Sequence, residues 1–114
     1  MNKVSTAEPL KHYPWGDGCE GWNLVEEASL SVKQERMPAG TSESLHYHVH
    51  AQQFFFMLRG EASFEIEQET IIVKEKEGIH IAAGKKHRII NHTLSAIEFI
   101  LSSQPSTAGD RVNV

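Results

Sequence analysis

Three of the seven histidines fall within five residues, at His46, His48 and His50. Alternate residues of a strand project from one face with Cα atoms ~6.6 Å apart, since each residue rises ~3.3 Å. Two imidazoles on that spacing can tilt together onto one divalent ion at roughly 2.0–2.2 Å. A further histidine on an adjacent strand and an oxygen ligand would close a facial site that keeps positions open for water or substrate. His87, just after the turn-forming Gly84-Lys85-Lys86, is the natural candidate for that histidine. Spacing alone leaves a second reading open, in which the histidines line a polar face or a cleft that holds no metal. Other nucleophilic or phosphate-binding signatures are missing. There is no Ser-His-Asp order and no phosphate loop, and Cys19 is the one cysteine, read as a structural thiol rather than a nucleophile.

The elements that must position these histidines read as strands. Short apolar or alternating runs are expected near 29–37, 45–50, 52–59, 61–67, 70–75, 79–82, 87–92 and 96–102. They are separated by turn signals such as Arg59-Gly60, Gln68-Glu69 and Thr93-Leu94-Ser95. Turns every 8 to 12 residues without a helical period mark an all-β sandwich or barrel. Residues 29–102 leave no room for the crossover helix of a parallel α/β sheet. The 114 residues therefore read as one domain: an irregular N-terminal arm over 1–28, a barrel core over 29–102 and a C-terminal tail over 103–114 that is expected to fray. Trp15 and Trp22 are expected to pin the arm to the body.

Alternation assigns faces. Ala62, Phe64 and Ile66 share one side of their strand and Glu61, Ser63, Glu65 and Glu67 the other. In 29–37, Leu30, Val32, Gln34 and Arg36 share a face, which is expected to be a core face opening into a polar pocket; alternatively Arg36 ends the strand in solvent. Arg36, Gln34 and Tyr47 are thus the candidates for orienting a substrate or moving a proton. Arg88 and His92 run out of phase with His87 and should face away from it. In Gln52–Leu58, Gln53, Phe55 and Met57 oppose Phe54, Phe56 and Leu58. If Gln53 faces inward, the Phe54/Phe56/Leu58 face needs a cover, supplied by a second copy in a homodimer, the preferred reading, or by the N-terminal arm.

Gly40, His46, His48, Gln53 and Gly60 stand on the spacing Gly, five residues, His-x-His, four residues, Glu, six residues, Gly, with Gln53 in the glutamate position. Ala82, Gly84, His87 and Asn91 stand on Pro-x-Gly-x-x-His-x-x-x-Asn, with Ala82 in place of the proline and Gly78 two residues closer than the pattern asks. On these two motifs the chain resembles a small one-domain cupin. The resemblance implies a double-stranded β-helix, or jelly-roll barrel, with a divalent transition metal (Zn, Ni, Mn, Fe or Co) held by His46, His48, Gln53 and His87. His50 is not a usual ligand and would line the mouth or sit at a strand end. Glycines 40, 60 and 84 suit turns that need permissive backbone angles, and Asn91 suits a polar group bonding a neighbouring turn.

Glutamine in place of glutamate removes one negative charge from the ligand set, leaving a divalent ion a stronger Lewis acid that is less suited to redox cycling. The expected chemistry is therefore non-redox: isomerisation, elimination or cyclisation. Resemblance to cupins with a His-His-Gln-His set, among them uronate-ring-opening proteins and polyketide cyclases, implies a sugar acid or other small oxygenated metabolite as substrate. The alternatives are a non-catalytic module binding a small ligand and an iron-dependent dioxygenase. It is also open that Gln53 does not bind, leaving a three-histidine site or an empty one. A formal charge of −4, from 11 Lys+Arg against 15 Asp+Glu, argues against nucleic acid as partner. The lack of a long apolar run argues against a membrane. A lone cysteine and no apolar leader make the cytoplasm the expected compartment.

Overall fold

The computed structural model describes residues 3–114, which form eleven strands and no helix. In chain order these are β1 (Lys11–Trp15), β2 (Cys19–Glu27), β3 (Leu30–Met37), β4 (His46–His48), β5 (Gln52–Arg59), β6 (Ala62–Ile66), β7 (Glu69–Val73), β8 (Gly78–Ile81), β9 (His87–Ile90), β10 (Ile97–Gln104) and β11 (Arg111–Asn113). They make a six-stranded sheet in the order β1-β2-β3-β10-β5-β8 and a five-stranded sheet in the order β11-β4-β9-β6-β7. Every pairing between these strands is antiparallel, giving the expected all-β jelly roll. No helix among the described residues is long and apolar enough to cross a membrane.

The turns obey local backbone chemistry. Gly40, Gly60 and Gly84 all have positive φ, at 74°, 75° and 81°. At Gly60 a side chain would also run into Ile97. The β6–β7 hairpin turns on Glu67 and Gln68 (φ 48° and 74°), one residue earlier than the sequence punctuation implied; two successive positive φ values suit the twist of a tight hairpin. Lys76, where the second motif asks for glycine, takes the left-handed conformation itself (φ 65°), so the displaced Gly78 is not needed for the bend.

Phe55, Phe64 and Phe99 meet between the sheets, with ring centroids 5.0 and 5.6 Å apart around Phe55. Met37, Met57, Ile89 and Ile97 complete a core from which water is excluded. Removing the Phe64 ring would cost about 3–5 kcal/mol, since it leaves a cavity as well as losing its transfer energy. Along the inner face of the six-stranded sheet the composition changes row by row. Met37 pairs Ile97, then Glu35 pairs Phe99, then Leu101 pairs Lys33 on one side and Phe55 on the other, and last come Ser31, Ser103 and Gln53. The interior is thus apolar at one end and polar at the other.

Three expectations need correction. Residues 11–27 are not an irregular arm: β1 and β2 form a hairpin in register from Lys11↔Asn23 to Trp15↔Cys19, and it extends the large sheet beside β3. Proline and glycine punctuation suggested a loop, but Gly16 and Gly18 make the turn and Pro14 lies in an edge strand, where a missing N–H costs no ladder bond. The tail is not frayed throughout either: β11 pairs with β4, opposing Arg111 to His48 and Asn113 to His46. A three-residue strand carries too little pattern to read, and it forms because β4 would otherwise be an open edge. Finally, β3 faces the other way. Ser31 and Met37 are buried, Lys33 and Glu35 look inward, and Leu30, Val32, Gln34 and Arg36 lie outside. Alternation tells which residues share a face, and here the outer face is itself apolar.

Candidate metal centre

Strand β4 sends His46 and His48 inward and Tyr47 to the opposite face. Strand β9 begins with His87 paired to His46, and β5 contributes Gln53 from the facing sheet. The three imidazoles are 1–5% exposed and Gln53 is 5% exposed. Ring centroids lie 4.4 Å apart for His46 and His87, 5.0 Å for His46 and His48, and 5.8 Å for His48 and His87. One ring nitrogen from each histidine falls within 4.8 Å of the other two.

Tautomers follow from the carbonyls nearby. His46 Nδ1 donates to Ser44 O and His87 Nδ1 to Lys85 O, each at 2.8 Å, which leaves both Nε2 lone pairs free. Burial pushes His46 down to about 3 and His48 down to about 4, and it lowers His87; repulsion among the rings and from Arg111 adds to this. All three are neutral near pH 7, the form that ligates. Gln53 Nε2 donates to Ser103 Oγ at 3.1 Å, turning Oε1 towards His87 Nε2, 3.1 Å away. His48 Nδ1 is buried without a partner. Facing acceptors and an orphaned ring nitrogen fit a cation-binding group, so the residues suit a transition metal.

His50 is not part of the cluster. Its side chain is exposed, while its N–H and that of Ala51 donate to the Asp110 carboxylate at 2.8–3.0 Å. Burial pushes Asp110 up, but these donors outweigh it and hold the carboxyl below its usual range. Asp110 thus fixes the loop between the two strands that carry His48 and Gln53. Sixty residues of separation hid this contact from sequence reasoning. Asn91, fully buried, donates to Met37 O, Pro38 O and Ser95 O, as its motif position implied. Arg88 pairs with Glu65 and His92 contacts Ser63 and Glu61, so both face away from His87 as expected. Cys19 is buried in the core, where desolvation raises its thiol.

His46, His48 and Gln53 line a cavity of about 230 Å³. Of the expected substrate-handling residues, Gln34 and Arg36 lie on the outer face of β3, with Arg36 3.8 Å from Glu20, and Tyr47 faces away; none lines the cavity. The polar groups that do include Tyr13, Lys33, Glu35, Glu43, Thr107 and Arg111. Tyr13 comes from the hairpin misread as an arm and Arg111 from the tail strand. Glu43, three residues before His46, accepts from Ile89 N and lies 3.7 Å from Arg111. Burial pushes its carboxyl up to about 8 against the pull of Arg111. Burial likewise raises Glu35, although its Tyr13 hydrogen bond and Lys33 oppose this.

With this fold and this histidine cluster the molecule is a jelly-roll protein with three histidines that could hold a metal ion between them. A cupin-domain family model matches residues 33–102, and the chain belongs to the cupin family. It is 25% identical over 99 residues to a mannose-1-phosphate guanylyltransferase of Sinorhizobium fredii, covering 86% of this chain but only 19% of that enzyme. Among solved structures, PAC13 of Streptomyces, a variant with uridine, superposes at a TM-score of 0.83 with 14% identity, over 100% of this chain and 91% of that one. A cupin-superfamily sugar phosphate isomerase of Silicibacter pomeroyi superposes at 0.77 with 17% identity, over 92% and 76%. At such identities the structural likeness speaks for the fold alone.

Proposed function

We propose that the chain is a metal-dependent cupin acting on a sugar acid or other small oxygenated metabolite by non-redox chemistry of the isomerase, lyase or cyclase type. The observation that carries this reading is a buried donor set of three neutral imidazoles and one amide oxygen, with no carboxylate among them. A divalent transition ion bound by His46, His48, Gln53 and His87 would polarise a carbonyl or hydroxyl and acidify bound water. Around it the protein supplies a cavity and two carboxyls whose proton affinity burial raises, Glu35 and Glu43, the latter up to about 8, where it can exchange protons near neutral pH. Names among the similar proteins, a sugar phosphate isomerase and a uridine-bound structure, favour a ligand of sugar-like size and polarity.

A second reading is a small-ligand-binding module without catalysis. It is favoured by the guanylyltransferase match, where the segment similar to this chain makes up 19% of a larger enzyme. Elemental analysis of untagged protein, beside His48→Ala, tests the first reading. About one equivalent of transition metal, lost in the variant, supports it; protein that neither carries nor takes up Zn, Mn, Ni, Co or Fe ends it. Turnover of a sugar acid by the loaded protein then separates the enzyme from the module. Oxygen consumption by the iron-loaded parent protein would instead restore the dioxygenase reading. The exposed outer face around Phe54 and Leu58 belongs, in this proposal, to a homodimer contact, and the cytoplasm remains the proposed compartment.

A further inference from the structure

Tyr13, Gly21 and Glu35 stand in one cross-strand row on the inner face of the large sheet. The Tyr13 ring crosses directly over Gly21, where any Cβ would overlap its phenol end, and its hydroxyl donates to Glu35 Oε2 at 2.5 Å. Lys33 occupies the next row, with Nζ 5.6 Å from the Tyr13 ring centroid. Among the described residues no carboxylate lies within 4.0 Å of this ammonium, whereas the other cation of the cavity, Arg111, is matched by Glu43. Glu35, in the adjacent row, is engaged instead by the Tyr13 hydroxyl. Phe55, Leu101 and Trp15 supply apolar wall, and an ammonium in such surroundings gains much from a counter-charge.

We propose that Lys33 is the specificity-determining anchor of the cavity, pairing with the carboxylate of a small hydroxy acid whose other oxygens face His46, His48 and His87. This rests on the ligand reading above and names the residue that distinguishes an acid from its neutral counterpart. One unmatched positive charge suits a singly charged carboxylate better than a doubly charged phosphate. Tyr13 and Gly21 act as positioning residues: without the phenol, Glu35 is free to pair with Lys33 and cancel it.

The test is calorimetric titration of zinc-loaded protein with galacturonate, glucuronate and malate against galactose, glucose and galactose 1-phosphate. At least one acid should bind tenfold or more tightly than its neutral counterpart. Lys33→Met should remove that preference, Lys33→Arg should keep most of it, and Tyr13→Phe should reduce it several-fold. An equal preference in Lys33→Met, a preference for the phosphate, or no acid preference in the parent protein overturns the proposal. Metal content is measured in the same samples. Metal-free protein whose acid preference still depends on Lys33 would sink the metal reading and leave the anchor standing.

Discussion

Gln53 Oε1 lies 3.1 Å from His87 Nε2, and both atoms are acceptors, because His87 gives its one N–H to Lys85 O and Gln53 gives its amide N–H to Ser103. Two lone pairs face each other at hydrogen-bond distance without a proton between them. A rotated amide would relieve this by donating to His87, and a cation would relieve it by taking both. Metal binding should therefore lock the first orientation. Gln53→Glu adds a formal charge to the set, so it should raise zinc affinity on the order of tenfold; Gln53→Ala should weaken it by a comparable factor, both read by competition with a chromophoric chelator. Unchanged affinity in both variants would remove Gln53 from the ligand set.

Acid should destabilise the metal-free protein through the same histidines. His46 and His48 sit near 3 and 4, below the 6.5 of an unfolded chain, because burial disfavours their charged forms. The unfolded state therefore binds more protons below pH 6.5, and stability present above that value is lost as pH falls towards 4 and 3. Glu43 works in the opposite sense. Its folded value of about 8 means stability present below about 4.5 is lost as pH rises towards 8. Melting temperatures across pH 4–9 should show a shallower acid limb in His46→Gln and a shallower alkaline limb in Glu43→Gln.

Asp110 should matter more than its place in a tail suggests. Its carboxylate takes two backbone N–H groups at the loop joining β4 to β5, and hydrogen bonds to a charged group contribute about 1.5–3 kcal/mol. Asp110→Ala should lower stability in urea by roughly that amount. It should also weaken metal binding, since the loop sets the spacing of His48 and Gln53. Full metal affinity in a destabilised variant would show that the clamp serves stability alone.

The outer face of the large sheet offers a separate test. Phe54 and Leu58 are 43% and 40% exposed, and cross-strand register sets Phe56 beside Ile100. The N-terminal hairpin cannot cover them, because it lies in plane beyond β3 and β10. A homodimer burying this face should sediment at twice the chain mass. Phe54→Lys with Leu58→Lys should give monomers that still bind metal. A parent protein that sediments as a monomer would refute the contact.

Much of this was legible in the residues, and the part that was not has a physical reason. The strand series from 29 to 102 and the shared face of His46 and His48 follow from period-two alternation, a local property, whereas the place of His87 beside them was carried by the resemblance of the two motifs. The inward face of β3 was not legible, because Leu30 and Val32 look like core when the outer face is also apolar. The pairing of β11 with β4 and the reach of Tyr13 to Glu35 depend on tertiary register. Nothing in Arg111-Val112-Asn113 announces a strand, and nothing in Gly21 announces that a ring will lie on it.

The four proposed donors all lie inside residues 33–102, the part of the chain matched by the family model, whereas Tyr13, Trp15, Thr107 and Arg111 reach the same cavity from outside it. Part of the cavity wall is thus contributed by chain outside the matched segment, while Lys33, Glu35 and Glu43 lie within it. Substitutions in the flanking hairpin and tail would reshape the wall of the proposed ligand cavity without touching Lys33 or the atoms proposed to hold the ion, so the hairpin can tune the fit of a bound molecule while the anchoring charge stays with the shared segment.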